Sequence, residues 1–207
     1  MPSSVISHQA PVLVLKIKYP KKFDGTALCI STFVPDFIVF FEPLFQFPIR
    51  GFSHSFFGLI YFSLPLTLLL SVLFRKYLFP YLSQIARKEG VFSTPLNYLG
   101  IEAWEKLRNK KYDLKAMMVA IYSAIIGGVT HLLLDLPSHE YNELFFPWLI
   151  IQNPDFLLFS VGQWQNYTLK IYDIIWIIES FVGLIITIYC LRYIKKKNLI
   201  EKWYNEP

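Results

Sequence analysis

The chain has four histidines, and each stands beside a hydroxyl or an acid: Ser7-His8, Ser53-His54-Ser55, Thr130-His131 with Asp135 four residues on, and Ser138-His139-Glu140. Imidazole nitrogen and carboxylate oxygen are ligands that zinc accepts in a four-coordinate shell, with water completing or opening it. His131 and Asp135 are the sharpest pair, because a spacing of four puts both on one helical face, about one turn apart. Pro35-Asp36 adds a second carboxylate where proline interrupts the backbone ladder. His54 opens the most apolar stretch of the sequence, and His8 and His139 complete the candidate metal ligands. A divalent cation held by such a set lowers the pKa of its water towards about 7 and polarises a phosphoryl or carbonyl oxygen, the chemistry of ester hydrolysis. Glu42 and Glu179 are the candidate catalytic acids, placed to orient that water or to act as general base.

Depth gives these residues their weight. Hydrophobic residues make up 54% of the 207 and charged residues 17%, against about a quarter charged in soluble domains. The mean hydropathy is +0.40. A chain of this composition belongs in a membrane, which excludes a disordered tail or a disulfide-stapled secreted module. The net charge of +5 then reflects loops facing anionic lipid and gives no reason to expect a nucleic-acid partner. Cys29 and Cys190 lie in apolar runs and read as small buried hydrophobes.

The expected fold is all-α, a polytopic transmembrane bundle of about four spans (27–49, 56–74, 116–136 and 173–192) plus a short embedded helix at the N-terminus. Span 27–49 inserts poorly alone, since Asp36, Glu42 and three prolines interrupt it, so it must pack against its neighbours. Gly127-Gly128 lets another backbone approach closely. Phe145–Val161 is broken by Pro147 and the Gln152-Asn153-Pro154-Asp155 cluster, and reads as a re-entrant or interfacial hairpin. Basic residues set the orientation: nine lie in the loop 75–115 and five in residues 192–207, both assigned to the cytoplasm. The loop 137–170 faces outward and contains the sequon Asn166-Tyr-Thr168. Within 75–115, AWEKLRNKKYDL reads either as a basic surface helix or as a solvated linker. By helical rise, His131 lies roughly 21 Å and Asp135 roughly 27 Å above Met117, in the outer third of their span. His8 joins them if residues 2–15 form a short helix that enters from outside and emerges at Lys16.

Four blocks carry a family resemblance: MPSSVISHQAPVLVL, VPDF, GFSHSFFGLIYFSLPLTLLL and GGVTHLLLDLPSHE. They resemble a group of prokaryotic integral-membrane proteins related to membrane-bound metal-dependent hydrolases. The order of ligand types, an early His, then Asp, His and His-x-x-x-Asp, is similar to the zinc-dependent phospholipase C and nuclease group of all-helical phosphoesterases. That resemblance implies one metal centre from Asp36, His54, His131 and Asp135, with His8 at or near a second, and a divalent metal, zinc first. This chain departs from the pattern after His139, where that group continues with a further His and a His-x-x-x-Glu. A full trinuclear site is therefore not implied. In the membrane family the last span carries a Gln-His pair near the position of Glu179-Ser180, which implies a polar or ligand role there.

The leading functional reading is a multi-pass cell-membrane hydrolase, C-terminus cytoplasmic, acting on a phosphoester or lipid drawn from the surrounding membrane lipids. Its rival is a non-catalytic membrane protein whose His and acid residues hold a structural metal or a polar network, as a subunit among membrane-protein partners. A transporter is weaker, because ligands gathered at one side offer no symmetric pathway.

Overall fold

The computed structural model describes residues 4–44, 48–110, 113–165 and 167–204. Pro2, residues 45–47 of the first expected span, and the sequon residue Asn166 lie outside the described residues. Five helices build the bundle: α1 (Gln9–Lys18), α2 (Gly25–Val39), α3 (Phe56–Arg87), α4 (Leu114–Asp135) and α5 (Ile171–Lys196), followed by a short α6 (Leu199–Tyr204). Of these, α3, α4 and α5 are long and apolar enough to cross a membrane, whereas α2 is apolar but only 15 residues long. Their outer faces remain greasy: Tyr61, Leu69, Phe181 and Ile185 are all exposed, as lipid-facing side chains are.

The helix starts follow from short side chains at their N-caps, which satisfy otherwise orphaned amides. Asp24 accepts from the Ala27 amide at 3.0 Å, Ser55 from Gly58 at 2.9 Å and Asp113 from Ala116 at 2.6 Å. Helix α2 ends at Val39, and a 3₁₀ turn over Glu42–Leu44 follows. Glu42, Pro43 and Pro48 thus fall beyond the helix, whereas Pro35 and Asp36 remain inside it.

Helix α3 runs past the expected end at Phe74, through a wide turn over Phe74–Leu78, to Arg87. Arg75 lies inside this continuous helix and is 2% exposed. Its guanidinium pairs with the Asp24 carboxylate and donates from Nε to Thr26 Oγ1 at 3.0 Å. Lys110 reaches the same carboxylate. A basic residue that looks like a loop marker is here part of a buried ion cluster that ties the lysine-rich ends of α2, α3 and α4 together.

Helices α2 and α4 run parallel and are registered at three levels. The Asp24 amide donates to Ser123 Oγ at 2.9 Å at the lysine-rich end. In the middle, a Cβ on Gly127 would lie 2.5 Å from the Leu28 carbonyl oxygen and 2.0 Å from Ser31 Oγ. At the far end, Asp36 meets His131. Helix α5 packs against the N-terminal turn Ser4–Ser7, where a Cβ on Gly183 would meet the Ser7 carbonyl oxygen at 2.7 Å and Thr187 Oγ1 donates to the Ile6 carbonyl at 3.1 Å.

The loop 75–115 folds back as a 3₁₀ helix, Ile101–Asn109, docked on the end of α3. Ile101 and Leu107 are buried, the Glu102 carbonyl accepts from Ser83 and Arg87, and Lys195 pairs with Glu102 at 2.9 Å. Over Ile101–Asn109 the segment is helical and docked on α3, and not a solvated linker.

The loop 137–170 departs from an all-helical fold. It forms two antiparallel hairpins, β1 (Tyr141–Phe145) with β2 (Leu149–Gln152) and β3 (Ser160–Trp164) with β4 (Tyr167–Lys170). Two-stranded sheets leave open edges whose amides and carbonyls need partners that hydrocarbon does not supply. Asn153 fixes the first over the end of α4. Its amide nitrogen donates to the Leu136 and His139 carbonyls, and its oxygen accepts from Asn142, each at 2.6 Å.

Two substitutions separate close packing from mere presence of a glycine. Gly127→Ala, whose methyl meets backbone, is expected to lower stability by about 1–3 kcal/mol. Gly162→Ala, with nothing within 4 Å of its Cβ, is expected to stay within about 0.5 kcal/mol of wild type. Denaturant unfolding of the detergent-solubilised chain followed by circular dichroism measures both.

Candidate metal centre

Three elements deliver the site. Helix α2 brings Asp36, one residue after Pro35. The turn Ile49–Ser53 and the cap of α3 bring His54, and the last two turns of α4 bring His131 and Asp135. A sharp bend makes the second possible, since a Cβ on Gly58 would collide with the Phe52 carbonyl oxygen at 1.7 Å. His54 and His131 are buried, and one ligand atom from each of the four residues lies within 4.8 Å of all the others.

The spacing has a specific meaning. Donors at the corners of a tetrahedron, about 2.0–2.2 Å from a central ion, stand about 3.3–3.6 Å from one another. Here His54 Nε2 is 3.4 Å from Asp36 Oδ1, 3.3 Å from Asp135 Oδ2 and 3.3 Å from His131 Nε2. His131 Nε2 is 3.4 Å from Asp135 Oδ2 and 3.9 Å from Asp36 Oδ1. Asp135 Oδ2 is buried and makes no hydrogen bond among the described residues, an expensive arrangement for a carboxylate oxygen in a low-dielectric setting unless a cation compensates it.

Surrounding groups fix which nitrogen of each ring faces inward. Ser53 Oγ donates to the Arg50 carbonyl at 3.1 Å, so it is left as an acceptor for His54 Nδ1 at 2.9 Å, and the Arg50 carbonyl is a second acceptor at 3.2 Å. Nδ1 of His54 therefore carries the proton and Nε2 offers its lone pair to the centre. His131 Nδ1 meets His8 Nδ1 at 2.9 Å. With His131 Nε2 turned to the centre, its Nδ1–H donates to His8, and His8 directs its Nε2–H to Asp135 Oδ1, 3.6 Å away. The early histidine thus backs a ligand and does not belong to the four-donor group.

The remaining candidates lie around this group. His139 has its Nδ1 on the Asp135 carbonyl at 3.1 Å and stands outside the four donors. Glu42 is half-buried in the turn after α2, its carboxylate 3.5 Å from the Arg50 amide. Glu179 is half-buried on α5 and stands outside the four donors. Sequence reasoning missed Arg50, Asn142 and Glu143, which with His54, Asp135 and His139 line a void of about 20 Å³ beside the centre. No spacing marks them, because β1 comes over the end of α4 only through the Asn153 clasp.

A family profile described as a domain of unknown function, DUF4184, matches residues 1–206. The chain belongs to the DUF4184 family. No curated protein and no solved structure matches it. The family description names no activity, so the DUF4184 match lends no support to the resemblance to metal-dependent hydrolases or to phospholipase C. What the DUF4184 chain offers on its own residues is a four-donor cluster, with both histidines buried, of a size that fits a divalent ion.

Metal analysis of the purified protein by mass spectrometry tests the division between ligand and backing residue. Asp135→Asn and His131→Ala are expected to lose the bound metal. His8→Ala is expected to keep it with an affinity about 10–100-fold weaker, the usual cost of removing a group that orients a ligand. His139→Ala is expected to retain wild-type stoichiometry.

Proposed function

We propose that this protein is a membrane-embedded hydrolase that uses one divalent cation, zinc as the expected ion, to cleave a phosphoester or lipid ester. Asp36, His54, His131 and Asp135 would hold the ion. The observation that carries the reading is the void of about 20 Å³ against His54 and Asp135. A four-ligand shell closed on all sides is the pattern of a structural site, whereas a catalytic one keeps a position for water. A void of this size accommodates a single water, and its polar walls supply hydrogen-bond partners.

A bound dication would supply Lewis acidity and a water of lowered pKa. The chain's own groups would do the rest. Glu143 and His139 line the same void and are placed to accept the proton of the attacking water, whose oxygen bonds to phosphorus or carbonyl carbon as the ester C–O or P–O bond breaks. The departing alkoxide takes a proton in turn. Arg50, with Nε 3.6 Å from Glu143 Oε2, offers a guanidinium to an anionic oxygen of the substrate. Exposed Phe145, Trp148 and Leu149 on the adjoining hairpin favour a substrate with an acyl chain over a water-soluble one. In this reading the histidine end faces outward from the cell membrane and the lysine-rich end, with the C-terminus, faces the cytoplasm.

One observation favours a second reading. His54 Nε2 lies within 3.4 Å of both carboxylates, so a doubly protonated His54 would balance them without any ion, as a polar network in a non-catalytic membrane protein.

Hydrolysis of fluorescent phospholipids and of simple phosphodiesters by protein in micelles distinguishes the two. The expected result is turnover that chelation abolishes and zinc restores. Glu143→Gln is expected to lower kcat by about 10²–10⁴-fold with metal content unchanged. Purified protein that holds no metal and turns over no phosphoester or lipid would favour the second reading.

A further inference from the structure

At the opposite end of the bundle lies a much larger cavity, about 530 Å³, within the usual range for small-ligand sites. It is walled by the α1–α2 connection, the start of α4 and α6. Lys16, Lys21, Lys110, Lys115 and Lys202 all line it, with Trp203 and Tyr204 forming an aromatic side. Two acids line it as well, but both are committed elsewhere. Asp24 caps α2 and pairs with Arg75 and Lys110, and Asp113 caps α4 through the Ala116 amide.

The lysines divide into two sets. The Lys16 ammonium is buried and donates to the Pro20 and Phe23 carbonyls at 2.6 and 2.8 Å, over the Trp203 ring at 4.8 Å. Burial, and then repulsion from Lys110 and Arg75, pushes it down to about 8. Five lysines against two acids line the cavity, which leaves it an excess of positive charge. Lys21, Lys115 and Lys202 are exposed, with no ion pair recorded among the described residues. Lysines and an aromatic wall, at the end the sequence assigns to the cytoplasm, form a receptor for a compact, multiply charged anion beside apolar matter.

We propose that this cavity is a specific binding site for a phosphate-bearing group, independent of the metal centre at the other end. Lys21, Lys115 and Lys202 make the ionic contacts, and Trp203 and Tyr204 pack against whatever the phosphate is attached to.

The test uses the full chain in neutral-detergent micelles. Binding is read as saturable thermal stabilisation and by intrinsic Trp fluorescence. Three probes are titrated: pyrophosphate, phosphatidylglycerol doped into the micelle, and phosphatidylcholine as the zwitterionic comparison. Saturable binding of phosphatidylglycerol alone identifies a lipid headgroup, and binding of pyrophosphate identifies a soluble phosphate. Either result supports the site, provided that K21Q/K115Q/K202Q weakens it by about tenfold or more, on the scale expected for three lysines near an anionic surface. The same three positions changed to Arg are expected to keep binding, which separates lost charge from lost fold. Failure of both pyrophosphate and phosphatidylglycerol to saturate, affinity equal to that for phosphatidylcholine, or unchanged affinity in the Gln variant overturns the proposal.

Discussion

The close approach of α2 and α4 at Gly127 is the contact on which the rest of the molecule depends. With no side chain at that position, the Leu28 carbonyl comes to where a Cβ would stand, and the two helices lie near enough for Asp36 to face His131 and Asp135 one to two turns further on. In hydrocarbon there is no hydrophobic drive to hold helices together, so backbone proximity and polar contacts must do it. Here those contacts sit at both ends of the same pair. Asp24 with Arg75 and Lys110 closes one end, and the His and Asp cluster closes the other. Each end is costly unless complete, since an unpaired buried carboxylate loses far more solvation than a neutral neighbour returns.

The two ends solve the problem differently. At the lysine-rich end the counter-charge is covalently part of the chain, in the guanidinium of Arg75 and the ammonium of Lys110. At the histidine end two carboxylates meet two imidazoles whose outward nitrogens are held by Ser53, the Arg50 carbonyl and His8. That outer ring of hydrogen bonds turns both Nε2 lone pairs inward and leaves a place that a divalent ion fits by both charge and distance. The N-terminal turn therefore has a purpose beyond packing: Gly183 on α5 lets Ser7 approach, and Ser7 carries His8 to its place behind His131.

Much of this was legible in the sequence, and the parts that were not share a cause. The four-residue spacing of His131 and Asp135, the acid after Pro35, the Gly127-Gly128 pair and the three long apolar helices are local patterns. Asp36, His54, His131 and Asp135 come together as those patterns imply. The Asp24–Arg75–Lys110 cluster depends on residues far apart in sequence, and Arg75 reads as a loop residue because a basic side chain at the end of an apolar run signals a helix end unless its partner is known. The strands over 141–152 and 160–170 carry no signal of their own, since short apolar runs fit buried helix, strand and interfacial turn alike. Arg50, Asn142 and Glu143 reach the centre only because Asn153 clamps β1 over α4, a contact no periodicity encodes. The resemblance, and a short helix entering from outside, put His8 near the site, but its part behind His131 follows only from the Nδ1–Nδ1 contact.

The central claim is that Asp36, His54, His131 and Asp135 bind one cation together. X-ray absorption on the zinc-loaded protein, read at the metal edge, addresses it directly, because imidazole rings give a distinct outer-shell scattering pattern. The expected result is four to five nitrogen and oxygen neighbours at about 2.0–2.2 Å, two of them imidazoles, with one imidazole lost in His54→Ala. A protein that binds no zinc, or a spectrum unchanged in His54→Ala, would contradict the account.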